Sequence, residues 1–259
     1  MGRLMRPVVH GLAGLLLALV VNGCTTLTRP DVRLTSAKTI GIVSAIGDDF
    51  TLTRAGLTAP SEAEQHFSIL PWGLDDLVAI RLGVLLGGRF EVHGLTYSRA
   101  SFLAKEHPSA FAVAKLLSAR ENRVSDLIRT QVAPQGLDVY VVVTKATSSY
   151  GSRSRTASGI GVIDRVAVFG SSAQLHALYT ITVIDGHTFK VIGKEVAGPL
   201  ESDELFRLRG PSREIGTDLL SGAQNPAGSD ELKAAVIDLI DRGLTKTLQD
   251  LQLIGPPKP

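Results

Sequence analysis

The feature that most constrains the fold is the segment Leu137 to Ala146, which contains Val139-Tyr140-Val141-Val142-Val143 without a polar break. A β-branched run of strand length with no alternation suits a strand buried on both faces, at the centre of a sheet with cover above and below. The rest of the chain supplies candidates for that cover. From Leu74 to Leu86, the residues Leu74, Leu77, Val78, Arg81, Leu82 and Leu85 recur at helical spacing, with Asp75 and Asp76 in the first turn and Gly87-Gly88 at the end. A longer helix is predicted from Ser109 to about Val132, between Pro108 and Pro134. A last helix starts after Ser229 and carries Leu232, Val236, Leu239, Ile240, Leu244, Leu248 and Leu251 on one stripe.

Strand signals fill the intervals. Thr39 to Ile46 sets Ile40, Ile42 and Ile46 at period two, Gly47-Asp48-Asp49 supplies turn chemistry, and Phe50 to Thr53 resumes as a strand. Thr58 to Gly73 reads as a loop with a short strand at His66 to Ile69, and Phe90 to Tyr97 as another strand. Ser148 to Ser158 is a polar loop by composition, and Ile160 to Phe169 is either a further strand or part of an excursion. Ala173 to Ile184 sets Ala173, Leu175, Ala177, Tyr179, Ile181 and Val183 against Gln174, His176, Thr180 and Thr182, and Asp185-Gly186 turns it into Thr188 to Ala197, because Asp and Gly tolerate the positive φ of a tight hairpin. Residues 198 to 228 are irregular, with one short helix near Asp203 to Leu208. The sum is a single α/β domain, a mixed and largely antiparallel sheet flanked by about three helices. No period of 20 to 50 residues repeats, which argues against solenoids and propellers.

The N-terminus has the layout of an export signal: Arg3 and Arg6, an apolar run from Val8 to Val21, then small residues. That run has 14 residues, whereas a helix needs about 20 to span a bilayer. It ends in Val21-Asn22-Gly23-Cys24, which resembles the lipobox of bacterial lipoproteins: an aliphatic residue, a tolerant position, a small residue and cysteine. Asn22 departs from the Ala, Ser or Thr usual at the tolerant position. The resemblance implies a signal peptide over 1–23, diacylglycerol on the Cys24 thiol, a tether over 24–37, an envelope domain over 38–252 and a flexible tail over 253–259. Thr25, where an Asp often signals inner-membrane retention, implies the outer membrane as the site, with the domain facing the periplasm. Ordinary signal-peptidase cleavage and an uncleaved anchor are the alternatives for the same residues.

Cys24 is the single cysteine, so no disulfide or thiolate metal site competes for it. Loss of residues 1–23 removes Arg3 and Arg6 and no acid, so 27 basic residues become 25 against 25 acidic ones. A neutral mature chain gives no electrostatic case for nucleic acid.

The order of elements is similar to the α/β module of several envelope lipoproteins and envelope proteins: the curli-secretion lipoprotein, the lipoprotein activators of penicillin-binding proteins, and the N-terminal domain of TolB. The residues that carry it are Leu137 to Thr144 and then Gln174 to Lys194, where Val183-Ile184-Asp185-Gly186 turns back through Lys190-Val191-Ile192. Cys24, together with the lack of a recognised catalytic constellation, points to a non-enzymatic protein that binds or helps assemble another envelope component, protein or glycan, tied to the membrane through Cys24. A secretion-channel subunit is an alternative, but only Ser148 to Ala173 could supply a membrane-crossing hairpin, and its Ser, Gly and Arg content is wrong for a lipid-facing stave.

Catalytic signatures are sparse. The chain holds no His-Glu-x-x-His, no Gly-x-Ser-x-Gly and no phosphate-binding Gly-x-x-x-x-Gly-Lys-Ser/Thr, and no cofactor is implied. His66, His93, His107, His176 and His187 are not at paired ligand spacing. Asp48 and Asp49, at a strand end, form the candidate site for a hydrolase in which folding brings up a histidine; turn chemistry explains the same residues. Gly159-Ile160-Gly161 lacks the third glycine of a dinucleotide fingerprint, and Arg153 and Arg155 among serines suit a solvated loop or an anionic partner.

Overall fold

The computed structural model describes residues 32–55, 63–103, 123–151, 155–167, 170–200, 208–221, 225 and 228–255. The export segment, Cys24, His107, Arg153, the first half of the long helix and nearly all of the expected helix at 203–208 lie outside the described residues.

The Val139–Val143 run lies at the centre of a five-stranded sheet. Its strands are β1 (Thr39–Ala45), β4 (Glu91–His93), β5 (Val139–Lys145), β10 (Tyr179–Asp185) and β11 (Val191–Val196), in the order β11-β10-β5-β1-β4. β1 runs parallel to β4 and β5, and β10 antiparallel to β5 and β11. A second five-stranded sheet is built from β2 (Asp49–Ala55), β3 (Ala63–Ser68), β8 (Ile160–Ala167), β9 (Gly170–Ala177) and β12 (Ser212–Ile215), in the order β12-β9-β8-β2-β3. There β2 and β8 are parallel and the other pairs antiparallel. A small hairpin pairs β6 (Thr147–Tyr150) with β7 (Arg155–Ser158).

The α/β class with mixed, largely antiparallel pairing is therefore what forms, and its strands divide between two sheets. The division happens where the chain crosses between them. Ala146 N donates to Leu178 O (3.0 Å), Leu178 N to Gly159 O (2.7 Å) and Gly159 N to Ala146 O (3.0 Å), a closed triangle of backbone bonds. Leu178 separates β9 from β10, yet Ala173, Leu175, Ala177, Tyr179, Ile181 and Val183 all enter the main core. The period-two phase is unbroken across the crossing, so one alternating run serves two sheets.

One face of the first sheet and the inner face of the second bury Ile42, Val141, Val143, Phe50, Leu52 and Val162 beneath two helices, α2 (Leu74–Leu86) and α6 (Asp230–Asp250). The opposite face of the first sheet presents Val43, Tyr140 and Val142 to Val124, Ile128 and Val132, on and just beyond a helix whose described residues are 123–131 (α4). Phe102 of the short α3 (Arg99–Leu103) packs beside them. This double cover explains why β5 could dispense with polar residues. At α6, the Ser229 side chain accepts from Leu232 N at 3.1 Å, with Asp230 and Glu231 in the first turn. Gly243 of α6 leaves room for the buried Tyr179 ring, whose hydroxyl is where a Cβ would come to 2.5 Å.

Several local expectations change. Ser148 to Ser158, read as a loop, contributes to the β6–β7 hairpin, and Tyr150 and Ala157 of that hairpin cover Ile163 on the outer face of the second sheet. β3 is longer than the predicted His66–Ile69 strand, β4 is shorter than Phe90–Tyr97, and β12 and a one-turn helix (α5, Asp218–Ser221) fall in a stretch expected to be irregular. Residues 32–36, assigned to the tether, form a helical turn (α1, Val32–Ser36) with Leu34 buried, and Leu253, assigned to the tail, is fully buried. Arg89 ties these ends together: Nη2 donates to Leu34 O at 2.6 Å and Nη1 to Gln252 O at 2.7 Å, while the guanidinium lies 4.7 Å over the Phe90 ring.

The Asp185-Gly186 turn forms by other means than predicted. Thr188 N and Oγ1 both donate to Asp185 Oδ1 at 2.6 Å, and the positive φ falls on Phe189. Glycine is needed at 186 because a Cβ there would run into Leu137 O, the backbone at the entry to β5.

Candidate interaction surface

A globular helix usually shows one apolar stripe and a polar back. α2 shows apolar side chains nearly all round. Leu74, Val78, Leu82 and Leu86 enter the core at four-residue intervals, and a second stripe of Leu77, Ile80 and Val84 points outward, 39%, 65% and 66% exposed. Beside that stripe, Ile237, Ile240 and Leu244 of α6 complete an apolar groove of about 270 Å³. Scattered apolar residues are ordinary on a protein surface, whereas a contiguous patch marks a contact surface. Charges border it on both sides: Arg81 Nε lies 2.8 Å from Asp241 Oδ1, and Arg99 pairs with Asp76.

Helical spacing alone places Leu77 on the core stripe, whereas the fold turns it outward with Ile80 and Val84. The available signal was the lack of any polar residue but Arg81 between Leu77 and Leu86.

The neighbouring carboxylates Asp75 and Asp76, both read as charged first-turn residues, have different roles. Asp76 is exposed. Asp75 is buried, and its Oδ1 accepts from Ser44 Oγ at 2.7 Å and Ile46 N at 2.8 Å, with Oδ2 3.3 Å from Gly47 N. It thus satisfies the backbone where β1 leaves the first sheet, so that the chain can cross to β2 without stranded donors.

Of the predicted pair, Asp48 occupies the exposed turn, its carbonyl accepting from Ile69 N at 2.7 Å. Asp49 opens β2, and folding does bring it a histidine: His66 Nδ1 lies 3.1 Å from Asp49 Oδ2, with Lys145 Nζ at 3.8 Å from the same oxygen and Glu64 Oε2 4.0 Å from His66 Nε2. The Asp49 and His66 side chains are 41% and 56% exposed. Water screens such a group of charges, which weakens it both as an ion pair and as acid–base machinery.

The remaining described histidines are scattered. His93 faces Glu91 at 3.4 Å and His187 faces Asp138 at 3.4 Å. His176 is fully buried on β9, where Nδ1 donates to Gly159 O at 3.0 Å, and burial pushes its pKa down to about 4. Gly161 fits against it: a Cβ there would meet Thr51 O and the His176 ring. Close packing, together with the φ of +63° at Gly159, accounts for both glycines of Gly159-Ile160-Gly161. Asp138 accepts from Lys38 N at 2.8 Å and Thr39 N at 2.9 Å; these bonds, Thr39's first, hold its carboxyl down at about 2. That carboxylate fastens the start of β1 to the start of β5. Among the described residues, no group of three or more His, Cys, Asp or Glu side chains is arranged to hold a metal ion, and no helix is long and apolar enough to cross a membrane.

No protein-family model matches this chain, and no curated protein matches it. Several solved structures resemble it weakly, among them the following two. The hypothetical protein CT253 from Chlamydia trachomatis aligns with 84% of this chain and 94% of its own at 12% identity, with a TM-score of 0.31. Lipoprotein GNA1162 from Neisseria meningitidis aligns with 81% of this chain and 99% of its own at 10% identity, with a TM-score of 0.27. At these scores the likenesses carry no functional argument.

Proposed function

We propose that this chain is a lipid-anchored envelope lipoprotein whose α/β domain binds or helps assemble another component of the cell envelope without catalysing a reaction. The observation that carries the proposal is Val21-Asn22-Gly23-Cys24 at the end of a 14-residue apolar run behind Arg3 and Arg6. That run is shorter than a bilayer-spanning helix needs, which supports attachment through the cysteine. The contact surface on α2 and α6 supports a binding role. Thr25 favours the outer membrane.

The test is fractionation of cells making the full chain. Wild type should partition into detergent, accumulate as a precursor under globomycin, and take up labelled palmitate, whereas Cys24→Ala should lose the label and the globomycin response. Uptake of label by Cys24→Ala would defeat the proposal.

The Asp49–His66 contact is the observation that favours a second reading, a hydrolase using Asp49 and His66. An Asp49→Asn, His66→Gln double variant that kept every envelope phenotype of the wild type would dispose of it. The secretion-channel alternative finds less support within Ser148 to Ala173: β6 and β7 have four residues each, and β8 and β9 have eight and pair within the second sheet, against about 9–11 for a membrane-crossing strand.

A further inference from the structure

We propose that the outward face of α2 is the seam of a parallel two-fold dimer with a second copy of this chain. Leu77, Ile80 and Val84 stand at i, i+3 and i+7, the a, d, a spacing of a coiled-coil seam, and they are exposed while the opposite side of the same helix is buried. In that register Asp76 is a g residue and Arg81 an e residue. Two parallel helices bring g of one beside the e that lies five positions on in the other, which sets Asp76 against Arg81 of the second copy on both flanks. Each charge already has an opposite partner on its outer side, Arg99 for Asp76 and Asp241 for Arg81. The flank therefore alternates in sign: Arg99, Asp76, then Arg81 and Asp241 of the second copy. An antiparallel pair would lose this order, setting g against g.

The groove beside α2 fits the same arrangement, since Ile237, Ile240 and Leu244 give the second copy's ridge an apolar floor, as in a four-helix packing of α2 and α6 with their copies. The chain's entry point is compatible with the parallel pair, a consideration that rests on the lipoprotein reading. Arg89, three residues past α2, holds Leu34 O of α1, so the chain enters the domain at the C-terminal end of α2. Seven residues lie between Cys24 and Val32, eight Cα-to-Cα steps with a reach of at most roughly 29 Å. A parallel pair sends both tethers from one end toward one bilayer. An antiparallel pair separates their starting points by about the 20 Å length of the helix.

Oxidative cross-linking in membranes tests the proposal on the full chain. Leu77→Cys, Ile80→Cys and Val84→Cys should each form a disulfide with their own copy, because a and d residues face their counterparts in a parallel pair; Val196→Cys, exposed on β11, should not. Cross-linking by Ile80→Cys alone, with Leu77→Cys joining only to Val84→Cys in mixed samples, would overturn the parallel geometry. Equal linking at Val196, or none at the three seam positions, would overturn the dimer. Ile80→Asp, at a side chain 65% exposed, should turn the detergent-extracted dimer into monomer with an unchanged circular dichroism spectrum, and a dimer that persists would contradict the proposal. The wild-type lane separates the two claims. A dimer linked through Cys24 means that this thiol is free, so the lipoprotein reading fails, and the same seam variants with Cys24→Ala still decide the seam.

Discussion

Replacing Asp75 by alanine should be among the most damaging single changes in the domain, and replacing Asp76 among the mildest. Asp75→Ala strands Ser44 Oγ, Ile46 N and Gly47 N, which the carboxylate now accepts from at 2.7, 2.8 and 3.3 Å. Ser44 and Ile46 have 0% and 1% exposure, so water does not replace the lost acceptor. A buried donor left unsatisfied costs about 1–3 kcal/mol. Some of that sum is offset because the folded state no longer buries a carboxylate, so the net loss should be about 3–5 kcal/mol, a large part of a total stability of about 5–15 kcal/mol. The Asp76 side chain is 65% exposed, and its ion pair with Arg99 is worth at most about 1 kcal/mol. Urea unfolding of the full chain and both variants, followed by circular dichroism, measures the difference directly. Losses within about 1 kcal/mol of each other would refute the assignment of Asp75 as the support of the β1–β2 crossing.

His176 makes stability depend on pH. Its folded value of about 4 lies below the ordinary histidine value of 6.5, so the unfolded chain takes up the proton first. Its contribution is complete above pH 6.5 and should fall by about 3 kcal/mol as pH drops toward 4; denaturant titrations of His176→Gln should show a flatter profile over that window. Asp138 acts at lower pH, where stability held above pH 3.8 is lost as pH falls through about 2. Gly186→Ala should cost at least about 2 kcal/mol, because the added methyl meets Leu137 O, whereas Gly88→Ala, with nothing within 4 Å of its Cβ, should change stability by less than about 0.5 kcal/mol; thermal melts distinguish the two. His66→Gln should shift stability by less than about 1 kcal/mol, and a larger loss in the same melts would show that the exposed Asp49 cluster holds β2 to β3 more strongly than screened charges allow.

The sequence made the long-range architecture legible wherever burial writes a pattern. The unbroken Val139–Val143 run announced a doubly covered strand, Ser229 and the stripe after it announced α6, and the alternation from Ala173 announced a hairpin returning through Asp185-Gly186. The same signals are silent about partnership. Leu178 changes sheets without breaking phase, because both sheets share one core, so the second sheet stayed hidden. Asp75 and Asp76 are adjacent and chemically identical, and only the arrival of Ser44 and Ile46 from a distant strand distinguishes them. Arg89 resembles any surface arginine until α1 and the end of α6 converge on it. The outward stripe of α2 was written in the sequence but merged with the inward one, since periodicity cannot say which of two apolar faces meets the core. Histidine contacts such as His66 with Asp49 depend on the β2–β3 register, which spacing along the chain does not encode.

Mass spectrometry of the N-terminal peptide from membrane-extracted protein reads the chemistry at Cys24. A lipoprotein should give a mature chain that begins at Cys24, lacks residues 1–23 and carries diacylglycerol on the thiol. A chain that begins at another residue, or at Cys24 with an unmodified thiol, would contradict the lipoprotein reading.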